Sequence, residues 1–280
     1  MLYVLVVIYL TLSSFEVESQ KSVKVHSYDS LVTYLTKGAT VWYVFNTSSC
    51  EQPSMKPEED NPVFGGEIKM FVSTPNSQYE EGQTIFSHVQ YSDENITDLN
   101  EEIQSMWILN DSAMVFWGKP GFFVNNTDDL DGTMCNWTVG EGSVWVKPHK
   151  EQKRLESFKE IQTLLTSGEE VRWAVNMSGC KCPPDPDECG NGSFGNAIKD
   201  FKIMKDGSIS FSSSMTFIIP LSWQYVRLVA FGHIYENNTA YFMISYLDPT
   251  TWQDAEDDMV LCSISADPSS SGAKFFTTRK

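Results

Sequence analysis

The sequence predicts an α+β protein of two tandem homologous domains, each an N-terminal helix packed on an antiparallel β-sheet and stapled by disulfides. Three observations carry that prediction. First, Ser27 to Cys50 realigns without a gap on Ser157 to Cys180, 130 residues later, with nine identities: Ser27/Ser157, Thr33/Thr163, Leu35/Leu165, Thr36/Thr166, Gly38/Gly168, Val41/Val171, Asn46/Asn176, Ser48/Ser178 and Cys50/Cys180. The register continues through Phe64-Gly65 on Phe194-Gly195, Ile68-Lys69 on Ile198-Lys199 and Phe71 on Phe201. Second, the apolar period changes once within each copy, from helical spacing to strand-like runs. Third, 280 residues divide into two units of ordinary domain size, each long enough to bury a core.

Taken in order, residues 1–19 read as a secretory leader. Leu2 to Leu12 is almost wholly apolar yet too short to span a bilayer, and Val17-Glu18-Ser19 sets small residues where a signal peptidase cuts. The first domain covers residues 20–148 and the second 149–280, joined by a polar stretch at 147–156. Tyr28, Leu31, Val32 and Leu35 fall at helical spacing with Gly38 as a C-cap; Phe158, Ile161, Leu164, Leu165 and Gly168 repeat the pattern. The β-branched and aromatic runs 41–45 and 171–175 then read as strands. Further strands are expected at 68–72, 84–91, 106–109, 114–117 and 143–146 in the first domain. Their counterparts in the second are 198–204, 208–212, 215–219, 226–235, 240–247 and 259–264, with Lys205-Asp206-Gly207 as a tight hairpin turn.

Six cysteines in an oxidising compartment imply disulfides. The repeat register pairs Cys50 with Cys135 and Cys180 with Cys262, leaving Cys182 and Cys189 to close a small loop around Pro183-Pro184-Asp185-Pro186-Asp187. A metal-thiolate reading of Cys180, Cys182 and Cys189 lacks a fourth ligand nearby. Eight of fourteen asparagines open glycosylation triplets: Asn46, Asn95, Asn110, Asn125, Asn136, Asn176, Asn191 and Asn237. Chance would supply roughly two or three, so a secreted glycoprotein is expected.

The frame Ser157-Phe158, Leu164-Leu165, Gly168 and Val171, followed by a hydrophobic strand and Asn176-Met177-Ser178-Gly179-Cys180, resembles the VirK family of small secreted proteins. Gly195 to Ser212, including Asp206-Gly207-Ser208-Ile209, is also similar to that family. The likeness lies at the head of the second domain and is fainter in the first, where Glu80-Glu81-Gly82-Gln83-Thr84 replaces the compact turn. The resemblance implies a secreted domain and brings no catalytic residues with it.

Charge narrows the partners. The formal net charge is −17, and −15 once Glu16 and Glu18 leave with the leader, which argues against nucleic acid and anionic membranes. No second stretch is long and apolar enough for a membrane helix. Acidic clusters precede equivalent cysteines: Asp128-Asp129-Leu130-Asp131-Gly132 before Cys135, and Asp254-Ala255-Glu256-Asp257-Asp258 before Cys262. Read as loops pinned by disulfides, Asp129, Asp131, Glu256 and Asp258 make a calcium ligand set; the bland alternative is a solvated turn. His26, His88, His149 and His233 lack ligand partners at recognisable spacing. Gly190 to Gly195 spells G-x-G-x-x-G but follows a cysteine loop rather than a strand, and neither a G-x-S-x-G elbow nor a P-loop occurs.

The leading expectation is therefore a secreted acidic glycoprotein that binds an extracellular ligand or matrix component, with Ca²⁺ as the candidate ion and no cofactor. The alternative is an enzyme with an aromatic-lined pocket acting on a small organic substrate, motivated by eight Trp, eleven Tyr and seventeen Phe.

Overall fold

The computed structural model describes residues 22–46, 50–51, 63–75, 82–93, 99–109, 112–118, 131–135, 139, 143–146, 152–183, 189–219, 224–249, 251–265 and 272–278. The first half runs β1 (Val23–Lys24), α1 (Tyr28–Thr36), β2 (Val41–Asn46), β3 (Cys50–Glu51), β4 (Val63–Ile68), β5 (Phe71–Thr74), β6 (Gln83–Asp93), β7 (Leu99–Ile108), β8 (Ala113–Gly118), β9 (Asp131–Cys135) and β10 (Ser143–Val146). The second runs β11 (Gln152–Leu155), α2 (Phe158–Thr166), β12 (Val171–Asn176), a 3₁₀ turn (Met177–Gly179), β13 (Ser193–Ile198), β14 (Phe201–Ile203), β15 (Ile209–Ile219), β16 (Gln224–Ile234), β17 (Thr239–Leu247), β18 (Asp254–Ser263) and β19 (Ala273–Thr278).

This overturns the α+β expectation. Among the described residues there are two α-helices of nine residues each, and antiparallel strand dominates. The helical signal was sound but local; the strands were underestimated because short polar segments also enter the ladders. Val23–Lys24 and Gln152–Leu155, the latter inside the supposed polar join, pair with β10 and β19. Ala273–Thr278, for which no strand was expected, pairs with both β11 and β12.

Nor does each half own a separate pair of sheets. The strands form three antiparallel sheets, ordered β1-β10-β2-β4, β11-β19-β12-β13-β5-β6-β7-β8-β9-β3 and β14-β15-β16-β17-β18. The central ten-stranded sheet joins a four-stranded set of the second half to the meander of the first. The seam is β13 on β5, with Ser193 opposite Ser73, Phe194 opposite Val72 and Gly195 opposite Phe71. Setting the halves side by side, β1-β10-β2-β4 corresponds to β11-β19-β12-β13, and β5 through β9 to β14 through β18.

Alternation along a strand sends neighbouring side chains to opposite faces, so the central sheet serves two cores. Trp173, Val171 and Phe275 face one core with Phe158, Ile161 and Leu165 of α2. Ala174, Phe276, Phe71 and Phe86 face the other with Tyr28, Leu31 and Leu35 of α1. Each core thus borrows from the other half: Met70, Ile85 and Trp107 enter the first-named, Ala174 and Phe276 the second. Two hydrogen bonds tie β7 to β15, Trp107 Nε1 donating to the Ile218 carbonyl at 2.9 Å and the Ile218 N–H donating to Ser105 Oγ at 3.3 Å.

The helices match end for end. Ser27 Oγ accepts from the Ser30 N–H at 3.2 Å, and Ser157 Oγ from Glu160 at 3.3 Å, each filling an orphan donor of the first turn. At the other end Gly38 and Gly168 take left-handed φ of 73° and 78°. The N–H of Ala39 reaches the Tyr34 carbonyl and that of Glu169 the Leu164 carbonyl, both closing Schellman turns.

Candidate functional site

Where α1 lies along the central sheet, the two halves leave an open cleft of about 350 Å³. Val32 and Thr36 of α1 form one wall, Ser73 and Pro75 another, and Ala174, Val175, Asn176, Ser193 and Lys274 the sheet side, with Ser178 and Asn191 at the mouth. The strand period explains the lining: Ala174 and Lys274 are cross-strand partners on β12 and β19 and so share a face.

Polarity in the cleft is organised. Behind Ser73 stand two more buried oxygens: Thr84 Oγ1 donates to Tyr28 Oη at 3.2 Å and lies 3.1 Å from Ser73 Oγ, while Tyr28 Oη donates to the Thr74 carbonyl at 3.1 Å. Burial raises the Tyr28 phenol above its ordinary pKa, the bonds to Ser73 and Thr84 opposing and Asp29 adding. Asn176 Oδ1 accepts from the Ser178 N–H at 3.1 Å and hydroxyl at 2.7 Å, which fixes the turn after β12. Lys274 is the cation of the lining. Burial chiefly, then the positive charges of Arg154 and Lys37, hold its ammonium below the usual lysine range.

An ammonium among hydroxyls and amides can hold a small anionic or polyhydroxylated group. Among the described residues that line the cleft there is no carboxylate or imidazole.

Apart from Asn176 and Asn191, the residues singled out from sequence fall elsewhere. Cys180 is bonded to Cys262 and Cys182 to Cys189. Cys50 and Cys135 are direct cross-strand partners in the β3–β9 ladder. Of the calcium set, Asp129 lies outside the described residues; Asp131 opens β9 opposite Trp117, and Glu256 and Asp258 lie in β18 opposite Tyr246 and Ile244. These acids are therefore on strands, in two different sheets, and not in the loops that were expected. Among the described residues no three His, Cys, Asp or Glu side chains come close enough to share a metal ion.

Of the sequons, Asn95, Asn110, Asn125 and Asn136 lie outside the described residues, Asn46 ends β2, Asn176 and Asn191 border the cleft, and Asn237 occupies the β16–β17 turn. Gly190 to Gly195 leads into β13. His233 lies 2.6 Å from Ser208 Oγ and stacks on Tyr235, while burial and Lys69 lower the pKa of His88; His149 lies outside the described residues and His26 is exposed. Of the rings suggested as a pocket, Trp107 is buried in the core, Trp145 is half-buried and Trp252 is exposed, while Trp173 packs on Phe194, Phe211 and Phe242 at 5.2 to 5.6 Å. Sequence reasoning missed Lys274, because a lone lysine in a segment where no strand was expected gives no signal until β19 is paired.

Compared with known proteins, residues 154–252 match the family model described as VirK protein. The second half of the chain is similar to the VirK family. The VirK match opens in β11 and closes at Trp252, so it takes in α2, the Cys180-to-Cys189 segment and the meander through β17, and stops before β18 and β19. Among solved structures, a VirK family protein from Legionella pneumophila matches with a TM-score of 0.37 and 12% identity, over 44% of this chain and 98% of that one. No curated protein matches.

Proposed function

We propose that this VirK-like protein is a secreted acidic glycoprotein that works by binding, holding a small anionic or polyhydroxylated group of an extracellular ligand or matrix component in the cleft beside α1. The observation that carries this reading is Lys274, a half-buried ammonium on the sheet side of a cleft otherwise lined by hydroxyl, amide and aliphatic groups. Secretion and glycosylation rest on the apolar leader and the excess of sequons, and are supported by the disulfides. The first half is read as a second VirK-like copy on the nine identities and the matching order of elements. The catalytic alternative has less support, since no aromatic ring is among the described residues lining the cleft.

The test is a calorimetric titration of the secreted protein with sulfate, citrate and N-acetylglucosamine, repeated on Lys274→Met. Binding of one probe that the variant loses supports the cleft; equal heats from both proteins, or none, remove it. Calcium is a separate part of the reading, resting on the acids Asp129, Asp131, Glu256 and Asp258. Ca²⁺ heat that Asp131→Asn or Asp258→Asn abolishes keeps the ion, and a flat Ca²⁺ titration deletes it.

A further inference from the structure

The seam between the halves is built from parts that occur a second time on the end strands of the two other sheets, where no described strand pairs with them. In the seam, β13 offers its outer edge to β5, and the ring of Phe71 lies over Gly195, where an added Cβ would sit 2.9 Å from it. Beside this, Phe276 packs so tightly on the end of α1 that a Cβ on Gly38 would fall 2.6 Å from its ring.

By repeat register, the counterpart of Gly195 is Gly65 on β4 and that of Phe71 is Phe201 on β14. Gly65 is exposed, and the atoms nearest the place of a Cβ there belong to Tyr43 and Val44 on the adjoining strand rather than to a ring. Phe201 is 38% exposed where Phe71 is 3%. Gly168, the counterpart of Gly38, has nothing within 4 Å of the same position. Trp145, which holds the place of Phe276 in its ladder, is half-buried on the outer face of the first sheet beside exposed Val44. Among the described residues β4 pairs only with β2 and β14 only with β15.

We infer that a second copy of this chain docks head to tail, β14 of one copy pairing with β4 of the next in the register of the internal seam. That register sets Val63 opposite Ile203, Phe64 opposite Lys202 and Gly65 opposite Phe201. Main-chain hydrogen bonds along two edges that no described strand pairs supply the contact, and Phe201 seating on Gly65 and Trp145 on Gly168 fix its place. Such a contact uses different surfaces on the two copies, so it propagates into a filament or closes into a ring. An extracellular binding module gains valency this way.

The experiment is sedimentation velocity on the secreted protein across a concentration series, with Val44→Asp and Phe201→Asp. Both side chains are exposed, so folding is retained, checked by unchanged thermal unfolding. The expected result is concentration-dependent assembly of the natural protein, monomers for each variant alone, and a one-to-one dimer when the variants are mixed, since each keeps the end the other lacks. A natural protein that stays monomeric overturns the inference. So does assembly of Val44→Asp alone with loss only in Phe201→Asp, which would mean β14 pairs with itself, and so does assembly of both variants alone, which would place the contact elsewhere.

Discussion

The two cap glycines share a conformation but differ in surroundings, and this separates two physical effects within one molecule. At Gly168 an alanine meets only the left-handed backbone penalty, about 1 kcal/mol. At Gly38 the same penalty is joined by a collision with the Phe276 ring inside a packed core, for a total of about 3 kcal/mol. Urea denaturation of Gly38→Ala and Gly168→Ala should therefore give unequal losses, and equal losses would mean that Phe276 yields freely. Arg172 is the other residue on which the seam depends. It is buried, and its guanidinium donates to Thr40 Oγ1 at 3.1 Å and to Glu67 at 2.9 Å across the two halves. Arg172→Ala leaves the half-buried Glu67 without that partner and should cost about 2 kcal/mol in the same assay. Arg172 was invisible as a functional residue in sequence, since the aligned position in the first half is Trp42.

Among the elements, α2 and the strand before it are clamped by one carboxylate. Glu160 accepts from Lys153 Nζ at 2.8 Å and from the Glu156 N–H at 2.8 Å. The bond to Lys153 first, then that to the Glu156 N–H, holds its pKa below the usual glutamate range. A depressed carboxylate adds stability that is whole above its unfolded pKa and is lost as pH falls through the folded one. The pair is largely exposed, so screening keeps the effect small. Stability measured by denaturant midpoint should fall on acidification through the glutamate range, and Glu160→Gln should flatten that part of the profile. Ser157→Ala removes the cap and should cost about 1 kcal/mol, read as a lowered midpoint. The helix bounds were legible because capping chemistry is local. The strand bounds were less so: the expected strands 68–72 and 198–204 straddle the breaks at Lys69-Met70 and Lys199-Asp200 where the chain changes sheets, and most of β4 and β13 was not expected. A corner between sheets has no fixed composition.

For the whole molecule, closure at the second half rests on Cys180–Cys262, which spans 82 residues and ties the end of β12 to β18. In the chain-entropy account, opening a loop of that length costs about 4 kcal/mol. A Cys180→Ser/Cys262→Ser protein should lose stability of that order in thermal and denaturant unfolding, with Cys182→Ser/Cys189→Ser losing less because its loop is far shorter. Because each core takes side chains from both halves, unfolding should be a single transition, and calorimetry resolving two would contradict the shared cores.

What the sequence by itself determined is what repeats or is local: the 130-residue period, the two helices with their glycine caps, the hairpin at Asp206-Gly207, and the VirK resemblance of the second half. Tertiary structure alone decided that the fold is mainly β, that one sheet runs through both halves, and that Lys274 meets Asn176 and Ser73 in a cleft. The physical reason is range. Caps and turns satisfy their hydrogen bonds within a few residues, so their chemistry is written beside them. A sheet satisfies its hydrogen bonds with any strand of suitable edge, and nothing near Gly195 in the chain says that its neighbour is Phe71.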